Sequence, residues 1–178
     1  MSSLNEILDR KESRVRLKDQ LLREYQWPLV LFTLNIPGPE KSGPRYTLAH
    51  KAGEKELLDR FKAEHMKILR RCIVCGACGR EAFLVVRTDG LELKRICTAI
   101  EERHSLGRLF DMDVYDRTGR AIHRTDVGKE SRSCFLCDEP AAYCSRSGRH
   151  SQEEIAEYIR VRISGYLREN GWDKLQKK

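Results

Sequence analysis

Apolar positions in this chain recur at helical spacing in some stretches and at strand spacing in others. Leu4, Ile7, Leu8, Val15, Leu21 and Leu22 return at roughly helical intervals, which predicts an opening helix to about Glu24 with a break midway; Ser3 and Glu6 have the spacing of a capping box. Leu29-Val30-Leu31-Phe32-Thr33-Leu34, behind Pro28, is a short and partly β-branched apolar run that predicts a buried strand. It ends at Asn35-Ile36-Pro37-Gly38-Pro39-Glu40-Lys41, where two prolines around a glycine enforce a rigid loop, either a ligand rim or a plain connection. Thr47 to Arg71 carries Leu48, Leu57, Leu58, Phe61, Met66, Ile68 and Leu69 among charges and predicts a helix interrupted near Gly53. Phe83-Leu84-Val85-Val86 predicts a second buried strand, stopped by Asp89-Gly90. Leu91, Leu93, Ile96, Ala99 and Ile100 then predict a helix that stops near His104.

The next stretch changes period. In Leu109-Phe110-Asp111-Met112-Asp113-Val114 apolar and acidic residues alternate, so a strand would place Asp111 and Asp113 on one face together with Leu109. Phe110, Met112 and Val114 would line the other, buried face. Asp116 to Gly119 is a turn into Ala121-Ile122-His123-Arg124, which predicts a hairpin. Residues 126–150 have little periodicity. Ser151 and Glu154 form a second capping box, ahead of a final helix with Ile155, Tyr158, Ile159, Ile163 and Leu167 on one face. The order α-β-α-β-α-β-β-α predicts an α+β fold. We expect a small sheet of unreadable strand order, helices packed mainly on one side, and a Cys-rich basic loop, in a single domain over residues 1–178.

Composition narrows the partners. The 178 residues are 40% apolar and 34% charged, with a net charge of +7 that favours an anionic partner: nucleic acid, a polyphosphate or an acidic protein. No secretory pattern and no membrane-length apolar run are present, so a cytoplasmic chain without a membrane partner is expected. Seven cysteines, an odd number without an export signal, argue for reduced thiols or metal ligands over a disulfide framework.

Two like charges side by side on a strand are unfavourable unless a cation lies between them. Mg²⁺ suits Asp111 and Asp113, since it takes one or two carboxylates plus substrate phosphates, as in metal-assisted phosphoryl transfer. Gly107-Arg108 just ahead supplies the guanidinium that a metal-bound polyphosphate needs. His104 and His123 flank the strand as acid–base candidates, although either could be structural. Cys134-x2-Cys137-x6-Cys144-x5-His150 has ligand types and spacing that can close a tetrahedral Zn²⁺ site, with packed free thiols as the alternative. Arg132, Arg146 and Arg149 are interleaved with it, so the same loop could cradle phosphate. Cys72-x2-Cys75-x2-Cys78 matches three ligands of an iron–sulfur run, but Ala82 stands where the fourth belongs, so ordinary thiols are the default, as for Cys97. Trp27 and Trp172 read as packing residues.

Leu106-Gly107-Arg108-Leu109-Phe110-Asp111-Met112-Asp113-Val114, the Pro37-Gly38-Pro39-x-Lys41 loop and Cys134-x2-Cys137-x6-Cys144-x-Arg146 with His150 stand in this order. Together they resemble the citrate lyase holo-acyl-carrier-protein synthases, also called apo-citrate lyase phosphoribosyl-dephospho-CoA transferases, over about residues 10–165. The chain departs from that pattern at Gly79-Arg80-Glu81, where the family usually has Gly-Pro-Glu, and at Arg16-Leu17, where it tends to have Arg-Gln. The resemblance implies that triphosphoribosyl-dephospho-CoA donates its phosphoribosyl-dephospho-CoA part to a serine of the apo acyl carrier (gamma) subunit of citrate lyase, with release of pyrophosphate. Asp111, Asp113 and Arg108 would then be catalytic, and Lys41, Gly107, Arg146 and Arg149 would bind substrate. No nucleic acid is implied. A basic, zinc-stabilised nucleic-acid-binding module is the competing reading, yet it leaves Asp111 and Asp113 unexplained, because carboxylates repel phosphate backbones. A non-catalytic assembly partner of a lyase complex is a third, and it would tolerate loss of both aspartates.

Overall fold

A computed structural model describes residues 4–38, 42–76 and 79–172, with side chains from Asp9 onward. Helix α1 (Leu4–Tyr25) leads into β1 (Leu29–Leu34), α2 (Pro44–Ala63), the hairpin strands β2 (Lys67–Gly76) and β3 (Gly79–Arg87), and α3 (Gly90–Arg103). A 3-10 turn (Gly107–Leu109) then opens β4 (Phe110–Tyr115). The short β5 (Ala121–Ile122), a second 3-10 turn (Arg124–Val127), α4 (Ala141–Ser147) and α5 (Gln152–Glu169) complete the order. The strands form one antiparallel sheet in the order β2-β3-β1-β4-β5. Within it, β1-α2-β2-β3-α3-β4 is a split β-α-β arrangement of the ferredoxin-like kind, because β3 and β4 flank β1 while β2 pairs only with β3.

The sheet has two unequal layers. On one face Val30, Phe32, Leu84, Phe110, Met112 and Val114 meet Leu57 and Phe61 of α2, Leu93 and Ile100 of α3, and Ile159 and Ile163 of α5, all buried. On the other, α1 alone lays Leu21 and Leu22 over Leu29, Leu31, Phe83 and Val85. The expected α+β architecture, with helices mainly on one side, is therefore what the chain adopts. Ser151 accepts from the Glu154 N–H (3.1 Å) while Glu154 Oε2 accepts from the Ser151 N–H (2.8 Å), the capping box that starts α5. The Ser3–Glu6 box involves Ser3, which lies outside the described residues. Trp27 and Trp172 pack against the two cores. No helix among the described residues is long and apolar enough to cross a membrane.

Four expectations need correction. Helix α1 runs unbroken to Tyr25. Gly53 does not interrupt α2; it lets the helix approach the sheet, since a Cβ there would lie 2.6 Å from Phe32 Cζ and 2.8 Å from Phe110 Cζ. The helix ends instead at Ala63, where His65 takes a left-handed φ of 54° and the Met66 N–H closes on the Phe61 carbonyl (2.8 Å). The chain then enters the edge strand β2 in place of more helix. A bulge between Ile68 and Arg70 throws its alternation out of step, so apolar Ile68 and Leu69 fall side by side as they would in a helix. Finally, Leu109 does not share the acidic face: it lies in the 3-10 turn and is buried in the core beneath α2 and α3.

Candidate active site

Asp111 and Asp113 stand where the period of β4 puts them. They pair with Thr33 and Leu31 of β1, and their side chains take the face of the sheet opposite Phe110, Met112 and Val114, the face that α1 covers. Asp111 is half-exposed and Asp113 exposed. Even so, the surrounding elements desolvate Asp113, and this, with the charge of Asp111, pushes its pKa above the ordinary carboxylate range. A third carboxylate shares that face. Glu81 of β3 is fully buried and accepts from Arg10 (2.5 Å) and Arg14 (2.5 Å) of α1, and the charge of Arg14 is also felt at Asp113.

The outer edge of β4 explains the next group of residues. Because β5 pairs only with Val114 and Tyr115, the backbone from Phe110 to Met112 has no strand beside it on that side. Charged side chains take the place of a strand. Met112 donates its N–H to Glu101 Oε1 (3.0 Å), Lys94 Nζ donates to the Met112 carbonyl (3.0 Å), and Arg132 Nη1 donates to the Phe110 carbonyl (3.0 Å). Glu101 ties the group together through Arg132 (2.6 Å) and Arg124 (2.7 Å), although its burial works to raise its pKa against these cations. Arg132 also reaches Asp111 at 3.4 Å. Lys94, Asp111, Asp113, His123, Arg124 and Arg132 thus line one cleft of about 460 Å³, within the usual size of a ligand site.

Arg124 and Arg132 also line a second cleft, of about 380 Å³, into which Arg108 projects. Gly107 sets that arginine. A Cβ at residue 107 would meet the Glu101 carbonyl and lie 2.7 Å from the Ile100 carbonyl, so only glycine lets the turn press on the end of α3. The Arg108 guanidinium lies 4.2 Å over the Phe135 ring and donates through Nη2 to the Ser133 carbonyl. Its Nε and Nη1 are buried and have no hydrogen-bond partner among the described residues. Burial, then the charge of Arg132, hold its pKa below the ordinary arginine range. Buried charged donors left over in this way can take an anion's oxygens.

The Cys/His quartet comes together as its spacing predicts. The ligand atoms of Cys134, Cys137, Cys144 and His150 all lie within 4.8 Å of one another, with Cys137 Sγ 3.5 Å from Cys144 Sγ and 3.3 Å from His150 Nε2. Zinc–thiolate bonds of about 2.3 Å in a tetrahedron place sulfurs about 3.8 Å apart, so the quartet is compatible with zinc. Burial works to raise the Cys134 thiol, but the Leu136 N–H and the neighbouring thiols prevail and lower it; burial pushes Cys144 up to about 12.

The remaining candidates are dispersed. Arg146 is exposed on α4, where its Nε donates to the Ala142 carbonyl (3.2 Å), and Arg149 is exposed 3.7 Å from Glu139; neither lines the clefts above. Lys41 and Cys78 lie outside the described residues. Cys72 and Cys75 pair with Phe83 and Arg80 and so point to opposite faces of β2, which separates two of the three thiols of the iron–sulfur spacing. Cys97 is fully buried, with its thiol pKa driven up. His104 lines the Arg108 cleft, where its Nδ1 accepts from the Leu106 N–H (3.0 Å) and its ring packs against Phe110 and Tyr166; burial lowers its pKa.

Comparison with known proteins places the chain in a family. The model of the family "Apo-citrate lyase phosphoribosyl-dephospho-CoA transferase" matches residues 2–166. The chain belongs to that family. A "Probable apo-citrate lyase phosphoribosyl-dephospho-CoA transferase" of Vibrio cholerae serotype O1 (strain M66-2) is 34% identical over 165 residues, covering 92% of this chain and 93% of the relative. The Citrobacter koseri "Apo-citrate lyase phosphoribosyl-dephospho-CoA transferase" is 29% identical, covering 86% of this chain and 84% of its own. "Protein CitXG" of Haemophilus influenzae is 30% identical over 88% of this chain, which accounts for 34% of that longer protein. Membership of a transferase family speaks against the nucleic-acid-binding module.

For a member of the phosphoribosyl-dephospho-CoA transferases, the sequence motifs leave out much of what surrounds the aspartates. Glu101 and Lys94 are seven residues apart and fall on the apolar stripe of α3 with Leu93, Cys97 and Ile100, so two charges on a buried helix face were the available signal. Arg10, Arg14 and Glu81 gave none, because their partnership spans 71 and 67 residues.

Proposed function

We propose that the chain transfers the phosphoribosyl-dephospho-CoA group of triphosphoribosyl-dephospho-CoA to a serine of the apo acyl carrier subunit of citrate lyase, releasing pyrophosphate. One observation carries the assignment of the site: Asp111 and Asp113 share a cleft with Lys94 and Arg132, and that cleft adjoins the one holding the unpartnered donors of Arg108. Two adjacent carboxylates fit Mg²⁺, which when bound would screen the phosphate oxygens and stabilise charge on the leaving group. The serine oxygen forms a bond to the phosphorus attached to the ribose, the bond from that phosphorus to the pyrophosphate oxygen breaks in line with it, and the serine proton is lost to a base. Arg132 and Lys94 stand beside the aspartates, where negative charge develops. Arg108 offers Nε–H and Nη1–H, which leave the guanidinium on different sides, as two separate charge-assisted donors for a donor phosphate, an arrangement that lysine lacks. Arg146 and Arg149 are left to interactions farther out on the donor or with an acidic carrier, for which a chain of net charge +7 is suited. The Cys134, Cys137, Cys144 and His150 quartet holds a structural Zn²⁺, supported by its ligand set and closeness.

The test mixes purified protein, donor, Mg²⁺ and apo carrier, and weighs the carrier by mass spectrometry. Wild type adds one prosthetic group per carrier. Asp111→Asn and Asp113→Asn, each removing charge that the metal needs, lower turnover by about 10²–10³ while the protein remains folded. A folded aspartate variant that modifies the carrier at the wild-type rate with the same Mg²⁺ dependence rejects the site.

A further inference from the structure

We propose that the Cys/His knot is the positioning device of Arg108, so that metal bound by Cys134, Cys137, Cys144 and His150 tightens donor binding 10-fold or so, a usual scale for coupling between two sites. The proposal rests on the reading of Arg108 as a donor-phosphate ligand. The geometry behind it is local. The two groups that hold the Arg108 guanidinium, the Ser133 carbonyl and the Phe135 ring, belong to the residues on either side of Cys134. One metal ligand therefore lies between the two contacts that aim the guanidinium.

Arg132 ties the start of that segment to the Phe110 carbonyl and Glu101, and beyond it the backbone is held by few bonds. A single bridge between Ser133 and Pro140, with Cys134 N–H to the Glu139 carbonyl (2.7 Å) and Ala141 N–H to the Arg132 carbonyl (2.9 Å), closes a short loop around Cys137. The thiols of Cys134 and Cys137 are only half-buried, and no strand or long helix supports them. A four-ligand clamp across such a loop fixes its backbone far better than these few bonds, and loops of this kind order on metal binding. Cys144 on α4 and His150, next to the Ser151 cap of α5, join the loop to two helices, and Phe135 packs toward Tyr158 of α5 (6.2 Å). A released loop lets Ser133 and Phe135 drift, and Nε and Nη1 of Arg108 lose their aim. A metal that only stabilises the fold would leave donor affinity in the folded protein unchanged.

Titration calorimetry with triphosphoribosyl-dephospho-CoA, without Mg²⁺ or carrier so that nothing turns over, separates these outcomes. Zinc is quantified in the protein as purified and after chelation, with folding followed by circular dichroism. Removal of the metal weakens the donor by about ten-fold, His150→Ala does the same, and donor present in excess raises the zinc affinity by the same factor, as linkage requires. This last measurement uses only wild-type protein and a competing metal dye, so it stands if a variant does not fold. Arg108→Ala weakens the donor to a like degree, and in that background metal removal has no further effect. Zinc well below one per chain, an unchanged donor affinity in folded metal-free protein, or losses that multiply in Arg108→Ala overturn the coupling. If Arg108→Ala in the metal-loaded protein leaves donor affinity intact, the phosphate role of Arg108 fails first; if Arg108→Ala weakens binding and metal removal does not, the coupling alone fails.

Discussion

Glu101 is the residue whose removal should disturb this molecule most for its size. Its side chain is 2% exposed, and it accepts from the Met112 N–H, from Arg132 and from Arg124. Glu101→Gln keeps the shape and one acceptor oxygen, but an amide N–H₂ then faces a guanidinium, and two arginines that are 18% and 20% exposed lose their shared anion. Breaking a buried ion pair on one side costs about 3–5 kcal/mol. Part of that is recovered: Arg124 keeps Glu102 at 2.8 Å, and Arg132 keeps the Phe110 carbonyl and can close on Asp111. The expected loss is therefore about 2–3 kcal/mol. For a chain of this length that lowers Tm by about 5–10 °C. Urea unfolding followed by circular dichroism measures it. Turnover should fall as well, because an Arg132 freed from Glu101 would neutralise Asp111, one of the two aspartates proposed to hold the metal. A loss under about 0.5 kcal/mol, with turnover unchanged, would show that the group is a set of solvated surface pairs and that the β4 edge does not depend on it.

Two more outcomes rest on buried groups near the sheet. His50 is fully buried, stacked 4.2 Å from the Phe32 ring with Nε2 3.1 Å from the Phe32 carbonyl, and burial lowers its pKa to about 4. Its folded pKa is below the unfolded value of about 6.5, so the unfolded chain binds the extra proton first; its contribution is complete above about 6.5 and lost as pH falls toward 4, at most about 3 kcal/mol, and a urea-stability profile that His50→Gln does not flatten there contradicts this. Gly107→Ala, whose methyl meets rigid carbonyls at the end of α3, should cost about 1–3 kcal/mol and weaken donor binding by displacing Arg108, whereas a neutral result in both calorimetry and thermal unfolding would mean that the turn can shift freely.

The four long helices and β4 were legible because each buries one face, which periods of 3.6 and two betray, and β1 and β3 because they are short apolar runs buried on both faces; the short α4 was not, since residues 126–150 have little periodicity. Strand β2 was not, since a bulge and an edge position both blur its alternation, and no local signal says that β1 lies at the centre of the sheet. The site divides in the same way. Asp111, Asp113 and the Cys/His quartet stand at short spacing along the chain, so these candidates could be read from the residues themselves. Glu81 facing Arg10 and Arg14 across the sheet exists only once α1 has crossed that face.

This difference bears on why the carboxylates are where they are. A strand with a full neighbour would satisfy its own backbone, and the clefts beside it would close. With β5 only two residues long, α3 and the segment before the knot send Lys94, Glu101 and Arg132 to the unpaired edge of β4. Those side chains answer a backbone requirement first, since unpaired N–H and C=O groups at a buried edge are costly. In answering it they bring a lysine and an arginine to the cleft that holds two acidic side chains of the same strand. The short β5 thus leaves the edge of β4 open beside the cleft, and lengthening it to cover Met112 should displace Lys94 and Arg132 from the aspartates.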